Sequence, residues 1–361
     1  MTFHHHFSIL AISLALLFGA HPALGFSLAE TGQWQTQNET LTPLAHADGV
    51  VFASGDRTLE AWDVDRGKRL WKTDLPSPAN FRPRLSENVV IASGREHLGV
   101  FDRKTGKRLW QYEKQTQIAV PLIMDNTVFF GDGGQFIALN LKDGSERWSH
   151  TIKGGAEIFY GAVGHKGTVY LGAGDGLVYA FEAANGAVKW TFDNEENWQY
   201  LRQLFMAGDT IIAGGYHDEV FAVRTGEHSP QDRIQWHFYA GNFINSQLVH
   251  DQSVYFWSPT GWVYALDAQT GKRNWRHSTH KFASYNSDWG PVMAELKAYD
   301  DTILILDMKR VLHVLSSNTG EKEAEPKLGF APRPFVLPIS EKQLLLFADL
   351  QGSIRVQTVS R

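Results

Sequence analysis

Short runs of β-branched, aromatic and aliphatic residues recur along most of the chain, each closed by a cluster of Gly, Asn or Asp. Residues 168–193 show the pattern well. Thr168-Val169-Tyr170-Leu171-Gly172 is followed by Ala173-Gly174-Asp175-Gly176, then Leu177-Val178-Tyr179-Ala180-Phe181, then Ala184-Asn185-Gly186, then Val188-Lys189-Trp190-Thr191-Phe192. Apolar runs of this length between such turn residues predict strands joined as hairpins. Upstream, Phe159 to Gly164 is rich in small residues and is expected to form the innermost strand of the unit.

A phrase running from an acidic or polar residue through glycine to tryptophan marks the end of each unit. Residues 102–110 read Asp-Arg-Lys-Thr-Gly-Lys-Arg-Leu-Trp, and residues 265–275 read Ala-Leu-Asp-Ala-Gln-Thr-Gly-Lys-Arg-Asn-Trp. The tryptophans fall at 71, 110, 148, 190, 236 and 275, a spacing of 38 to 46 residues. Four short strands in about 40–45 residues is the repeat of a propeller blade. The expected fold is therefore all-β, an eight-bladed β-propeller of four-stranded antiparallel blades.

The units fall at about 41–75, 81–113, 119–152, 160–193, 201–239, 246–277 and 291–328. A last stretch, residues 333–359, supplies only three strands, and Gly32 to Thr36 carries the same Gly/Trp pattern with no blade before it. Exchange of that segment into the last blade would close the ring and remove an exposed sheet edge. Seven blades is the alternative, if one unit is misread. Blade five holds an insertion between Gly226 and Trp236, and blade seven has Ala324 where the tryptophan should stand. Trp34, Trp71, Trp110, Trp148, Trp190, Trp236 and Trp275 are read as structural, each covering the gap to a neighbouring blade.

The phrase at 265–275 resembles the repeat of the PQQ-like propeller superfamily, a WD40-like architecture, through nearly all of the chain after the leader. Two kinds of member bear on function. Quinoprotein alcohol dehydrogenases hold pyrroloquinoline quinone and calcium in the axis and usually carry adjacent cysteines. The outer-membrane assembly factor BamB is an eight-bladed scaffold without a cofactor. The resemblance in size and in its cysteine-free chain is to the scaffold kind, although BamB is usually a lipoprotein. It implies partners among envelope proteins, either the barrel-assembly machinery or periplasmic redox proteins. The expected protein is a non-enzymatic scaffold with no cofactor, a monomer within a complex. The alternative is a PQQ-dependent dehydrogenase, or an accessory of one, with Ca2+.

Composition narrows the setting. A formal charge of −5 and the lack of a basic stripe disfavour nucleic acid. Phe7 to Gly19 is apolar but too short to span a bilayer comfortably, and small residues precede Phe26. Residues 1–25 thus read as a signal peptide and 26–361 as one propeller domain exported to the periplasm, with no transmembrane span after cleavage. The chain has no cysteine, so disulfides, thiolate metal sites and lipid attachment through a cysteine are excluded.

Candidate chemistry is thin. Asn286, Asp288 beside Trp289, Arg202, and Asp307 with Lys309 and Arg310 are of the types a quinone site uses. His217, His237, His250, His277, His280 and His313 are scattered over blades five to seven, and no catalytic or metal residue is assigned. Loop length is more informative. In a four-stranded meander the links between blades share one face with the second-to-third strand turns. Three links on that face are long, and with the adjacent turns they are expected to carry Trp198, Tyr200, Tyr216, His217, Tyr239, Phe243, Trp257, Trp262, Phe282, Tyr285 and Trp289. Aromatic residues on loops of a rigid scaffold suit a protein interface. The competing role for the same rings is to plug the axial channel.

Overall fold

The computed structural model describes residues 25–193, 203–214, 219–240, 246–258, 260–279, 295–307 and 309–361. Among them the chain builds eight four-stranded antiparallel sheets and no α-helix. Blades one to seven occupy residues 45–74, 84–113, 122–151, 163–193, 205–239, 246–278 and 296–324, each a simple meander. Blade eight takes three strands from residues 332–360 and its outermost strand, Ser27–Gln35, from the other end of the chain. Ser27 pairs with Ser360 and Trp34 with Ile354, so the ring closes as the sequence predicts, with eight blades and not seven. The innermost strands neighbour one another around the axis, and blade eight's meets blade one's. Within blade four the innermost strand is Val163–His165, not the full stretch from Phe159. The residues before it belong to the inter-blade link, where Gly161 N–H is bound by Gln203 Oε1 of the next blade at 3.1 Å.

Burial explains why the strands read as they do. Second and third strands, such as Val89–Ser93 and His97–Asp102, are buried on both faces because each blade packs against two neighbours. They therefore read as continuous apolar runs. The outer strand Lys68–Asp74 alternates exposed and half-buried residues, since only one face meets a neighbour.

Each part of the repeated phrase has a task in the seam between blades. In blade two, Asp102 Oδ1 accepts hydrogen bonds from Thr105 N–H at 2.8 Å and Thr105 Oγ1–H at 2.7 Å, locking the turn. Gly106 has φ of 71°, and a Cβ there would lie 2.5 Å from the ring of Trp71 in blade one. The glycine thus supplies both the left-handed backbone and the space for its neighbour's indole. That indole donates Nε1–H to Arg103 O at 3.1 Å in the same turn. Trp110, Trp148, Trp236 and Trp275 repeat the bond onto Leu141, Ala183, Ala268 and Ser317 at 2.8–3.0 Å. Trp34 lies over Gly67 of blade one and stacks on Trp62.

The two irregular blades keep the seam by other means. Blade five's turn brings Arg233 beneath Trp190, with the guanidinium 3.8 Å from the ring centre. It donates to Arg224 O, Gly226 O and His228 O at 3.0–3.1 Å, so the insertion replaces a glycine with an arginine stack. Blade seven's Ala324 faces blade eight, whose third and fourth strands come from opposite ends of the chain and share no turn. With no turn to cover, the tryptophan has no partner. Phe26 and Arg361 fill that place against Tyr299.

A bulge sits beside the seam in blades one to seven. Ala61 pairs with Trp71 and Trp62 with Arg69, leaving Leu70 without a partner across the ladder. The same shift leaves Leu109, Arg147, Lys189, Gln235, Asn274 and Glu323 unpaired. An extra residue bends and twists the outer strand, which disfavours pairing with another chain's edge. Leu70 and Leu109, 51% and 46% exposed, are bulge residues of this kind.

Candidate functional site

The direction of the meander places the inter-blade links and the second-to-third strand turns on one face. Of the aromatic residues expected there, Trp198, Tyr200, Tyr216, His217, Phe243, Phe282, Tyr285 and Trp289 lie outside the described residues. Tyr239 ends the outer strand of blade five and is 71% exposed, the most open of the large hydrophobic residues described. Trp262 is half-buried at the start of blade six's third strand, with the Arg276 guanidinium 4.1 Å from its ring centre.

Trp257 departs from expectation. It is completely buried among Tyr255, Val263, Ile303 and Ile305 in the seam between blades six and seven. Its Nε1–H donates to Thr279 Oγ1 at 2.9 Å. The reason is periodicity: along Ser253–Ser258, Val254 and Phe256 pack toward blade five, whereas Tyr255 and Trp257 pack toward blade seven. A partner cannot reach this ring without opening the seam.

Several of the scattered polar candidates are structural where they are described. Asp307 is buried, accepts Val311 N–H at 2.8 Å and His313 Nε2–H at 2.9 Å, and so closes a turn. His313 Nδ1 lies 3.2 Å from Glu325, across the same sheet. His237 pairs with the buried Glu219. Burial holds the imidazole of His277 below its ordinary pKa. His280, Asn286, Asp288 and Arg202 lie outside the described residues, and among the described ones no group of three or more His, Asp or Glu is arranged to hold a metal.

One charged cluster stands where the other blades have mostly apolar or small residues. Blade two's innermost strand begins at Arg84 with Arg82 just before it, and blade seven's link and innermost strand carry Glu295 and Lys297. Both segments approach the axis from the link face. Arg82 of blade two forms an ion pair with Glu295 of blade seven, three blades round the ring. Lys297 Nζ lies 2.8 Å from the other oxygen of the same carboxylate. Arg82 Nε–H donates to Leu44 O of blade one and Arg84 Nε–H to Pro121 O before blade three, both at 3.0 Å.

The electrostatics follow from three cations around one carboxylate. Burial alone would raise the pKa of Glu295, but Lys297 and Arg82 outweigh it and hold the carboxyl below its ordinary value. Burial lowers Lys297, and repulsion from Arg82 and Arg84 adds to that against the pull of Glu295. Arg84 is lowered by burial and then by Arg82. The sequence carried a signal for this cluster, since Arg82-Pro83-Arg84 and Glu295-Leu296-Lys297 place charges at every second position where innermost strands begin. Loop length, the feature that marks the aromatic links, carries no trace of it.

Eight four-stranded blades, sealed by tryptophans over Asp-Thr-Gly turns, define a PQQ-like β-propeller. Within that class, the chain belongs to the family described as outer membrane protein assembly factor BamB, whose model matches residues 28–158, 125–235 and 174–333. The outer membrane protein assembly factor BamB of Yersinia pestis is 26% identical over 263 residues, 70% of this chain and 60% of that relative's length. The crystal structure of BamB from Moraxella catarrhalis superposes with a TM-score of 0.71 at 16% identity, covering 92% of this chain and 97% of that one. The quinohemoprotein alcohol dehydrogenase of Comamonas testosteroni superposes at 0.70 with 12% identity, covering 92% and 77%. At these identities the two structures show a shared fold.

Proposed function

We propose that the protein is a non-enzymatic scaffold of the cell envelope that docks protein partners during outer-membrane protein assembly. The observation that carries this reading is membership of the BamB family over residues 28–333. It is supported by the way the repeat is used: its aspartates, glycines and tryptophans are taken up by turns and seams, which leaves the link face for recognition. On that reading Tyr239 and Trp262 belong to the partner surface, together with the sequence-assigned aromatics of the long links. Trp257 supports the surface from beneath. Export to the periplasm as residues 26–361 fits the same role. Among the described residues no helix is long and apolar enough to cross a membrane.

The alternative is a quinoprotein or an accessory of one, and the charged axial cluster is the feature that favours it. The donor set there fits poorly. Calcium takes six to eight oxygen ligands, whereas the described part of the cluster offers one carboxylate that is already paired with two cations.

The two readings separate in a capture experiment. Residues 26–361 are immobilised in envelope extract and retained proteins are quantified by mass spectrometry. Enrichment of barrel-assembly components, reduced several-fold by Tyr239→Ala with Trp289→Ala, is the expected result. Enrichment of cytochromes or dehydrogenase subunits instead would move the assignment to electron transfer.

A further inference from the structure

The axial cluster has more positive charge than its own carboxylate can balance. Arg82, Arg84 and Lys297 face Glu295 alone among the described residues, and the side chains of Arg82, Lys297 and Glu295 are 24%, 20% and 30% exposed. They are recessed enough to lose much of their hydration yet remain open to solvent. Two of the three cations are committed: Arg82 to Glu295 and Leu44 O, and Lys297 to Glu295. Arg84 is not. Its Nε–H is pinned to Pro121 O, and its two terminal nitrogens make no hydrogen bond to any described residue.

A guanidinium anchored through Nε keeps its outer edge fixed and available. That edge presents parallel donors that match the oxygens of a carboxylate or phosphate. Arg82 is anchored backward onto the link that enters blade one and Arg84 forward onto the link that enters blade three, which fixes both groups. Burial is the main cause that lowers Arg84 and Lys297, with repulsion from Arg82 adding to it, and a bound anion would offset both.

We propose that the charged cluster where the innermost strands of blades two and seven begin is a binding site for a small dianion bearing carboxylate or phosphate oxygens, with Arg84 as its principal ligand and Lys297 and Arg82 completing the charge match. Glu295 acts as the internal competitor: it holds Lys297 and Arg82 in place when the site is empty and yields part of their charge to the ligand. The site needs no catalysis.

The test uses isothermal titration calorimetry of the full chain with inorganic phosphate and with succinate, at low and at high chloride. The expected result is saturable binding of at least one anion, one per chain, weakened by chloride because exposed charge is screened. A preference for phosphate identifies a compact tetrahedral ligand, and a preference for succinate a dicarboxylate. Arg84→Met weakens binding at least tenfold, Arg84→Lys weakens it less, and Glu295→Gln strengthens it. Melting curves recorded without anion confirm that each variant is folded, and Lys297→Met replaces Arg84→Met if the latter is not. Absence of saturable heat with both anions, or binding unchanged in the folded Arg84→Met or Lys297→Met protein, overturns the proposal.

Discussion

At the scale of single residues, the seam between blades is the most demanding feature of the molecule. A methyl group on Gly186 would stand 2.6 Å from the Trp148 ring, on a backbone with φ of 74°. Both penalties fall on one atom. Gly186→Ala should therefore cost about 2–4 kcal/mol, read as a lower denaturant midpoint. Trp148→Phe keeps most of the packing and forfeits the bond to Ala183 O, for about 1 kcal/mol. Arg233→Met tests the substitute seam of blade five. It removes the stack on Trp190 and strands three backbone carbonyls, and about 2–3 kcal/mol of destabilisation is expected. The glycines and tryptophans were legible because they repeat. Arg233 was not, because a single irregular turn offers no second copy for comparison.

At the scale of elements, blade eight depends on a strand from the far end of the chain. Without residues 26–35, the strand Ser353–Ser360 would present a free ladder edge, and the clusters that hold Trp34 and Phe26 would lose them. A chain starting at residue 37 should elute as soluble aggregate on size exclusion, while the chain starting at 26 elutes as a monomer. The strand was readable from Gly32 and Trp34, yet its true length, from Ser27, was not. Its first half carries no pattern beyond alternation, and a bulge between Glu30 and Gly32 shifts that alternation. Trp257 shows a related limit. Being aromatic and near a turn suggested exposure, but the residue belongs to a strand with both faces buried, where position in the ladder outweighs distance from the loop.

At the scale of the whole molecule, the ring is tied across its axis as well as around its rim. The ion pair from Arg82 to Glu295 joins blades two and seven, and Lys297 reinforces it. Because Glu295 is held below its ordinary pKa, this network stabilises the fold above about pH 4.5 and is lost as pH falls through the lower folded value. Glu295→Gln should melt at a lower temperature than the parent at neutral pH, and scanning calorimetry should find the gap closing in acid. The sequence made the eightfold architecture legible through its period, whereas contacts across the axis join residues 213 positions apart and leave no local trace.

The pairing of Ser27–Gln35 with Ser353–Ser360 also sets an order in time. The first strand to be made is among the last to find its partner, since that partner does not exist until synthesis is almost complete. Bringing segments this far apart together costs on the order of 5 kcal/mol of chain entropy, which only a nearly finished ring can offset. Refolding should therefore end in a slow closing step, visible as a late change in the fluorescence of Trp34 as it settles on Trp62. Until that step, the growing propeller is an open arc.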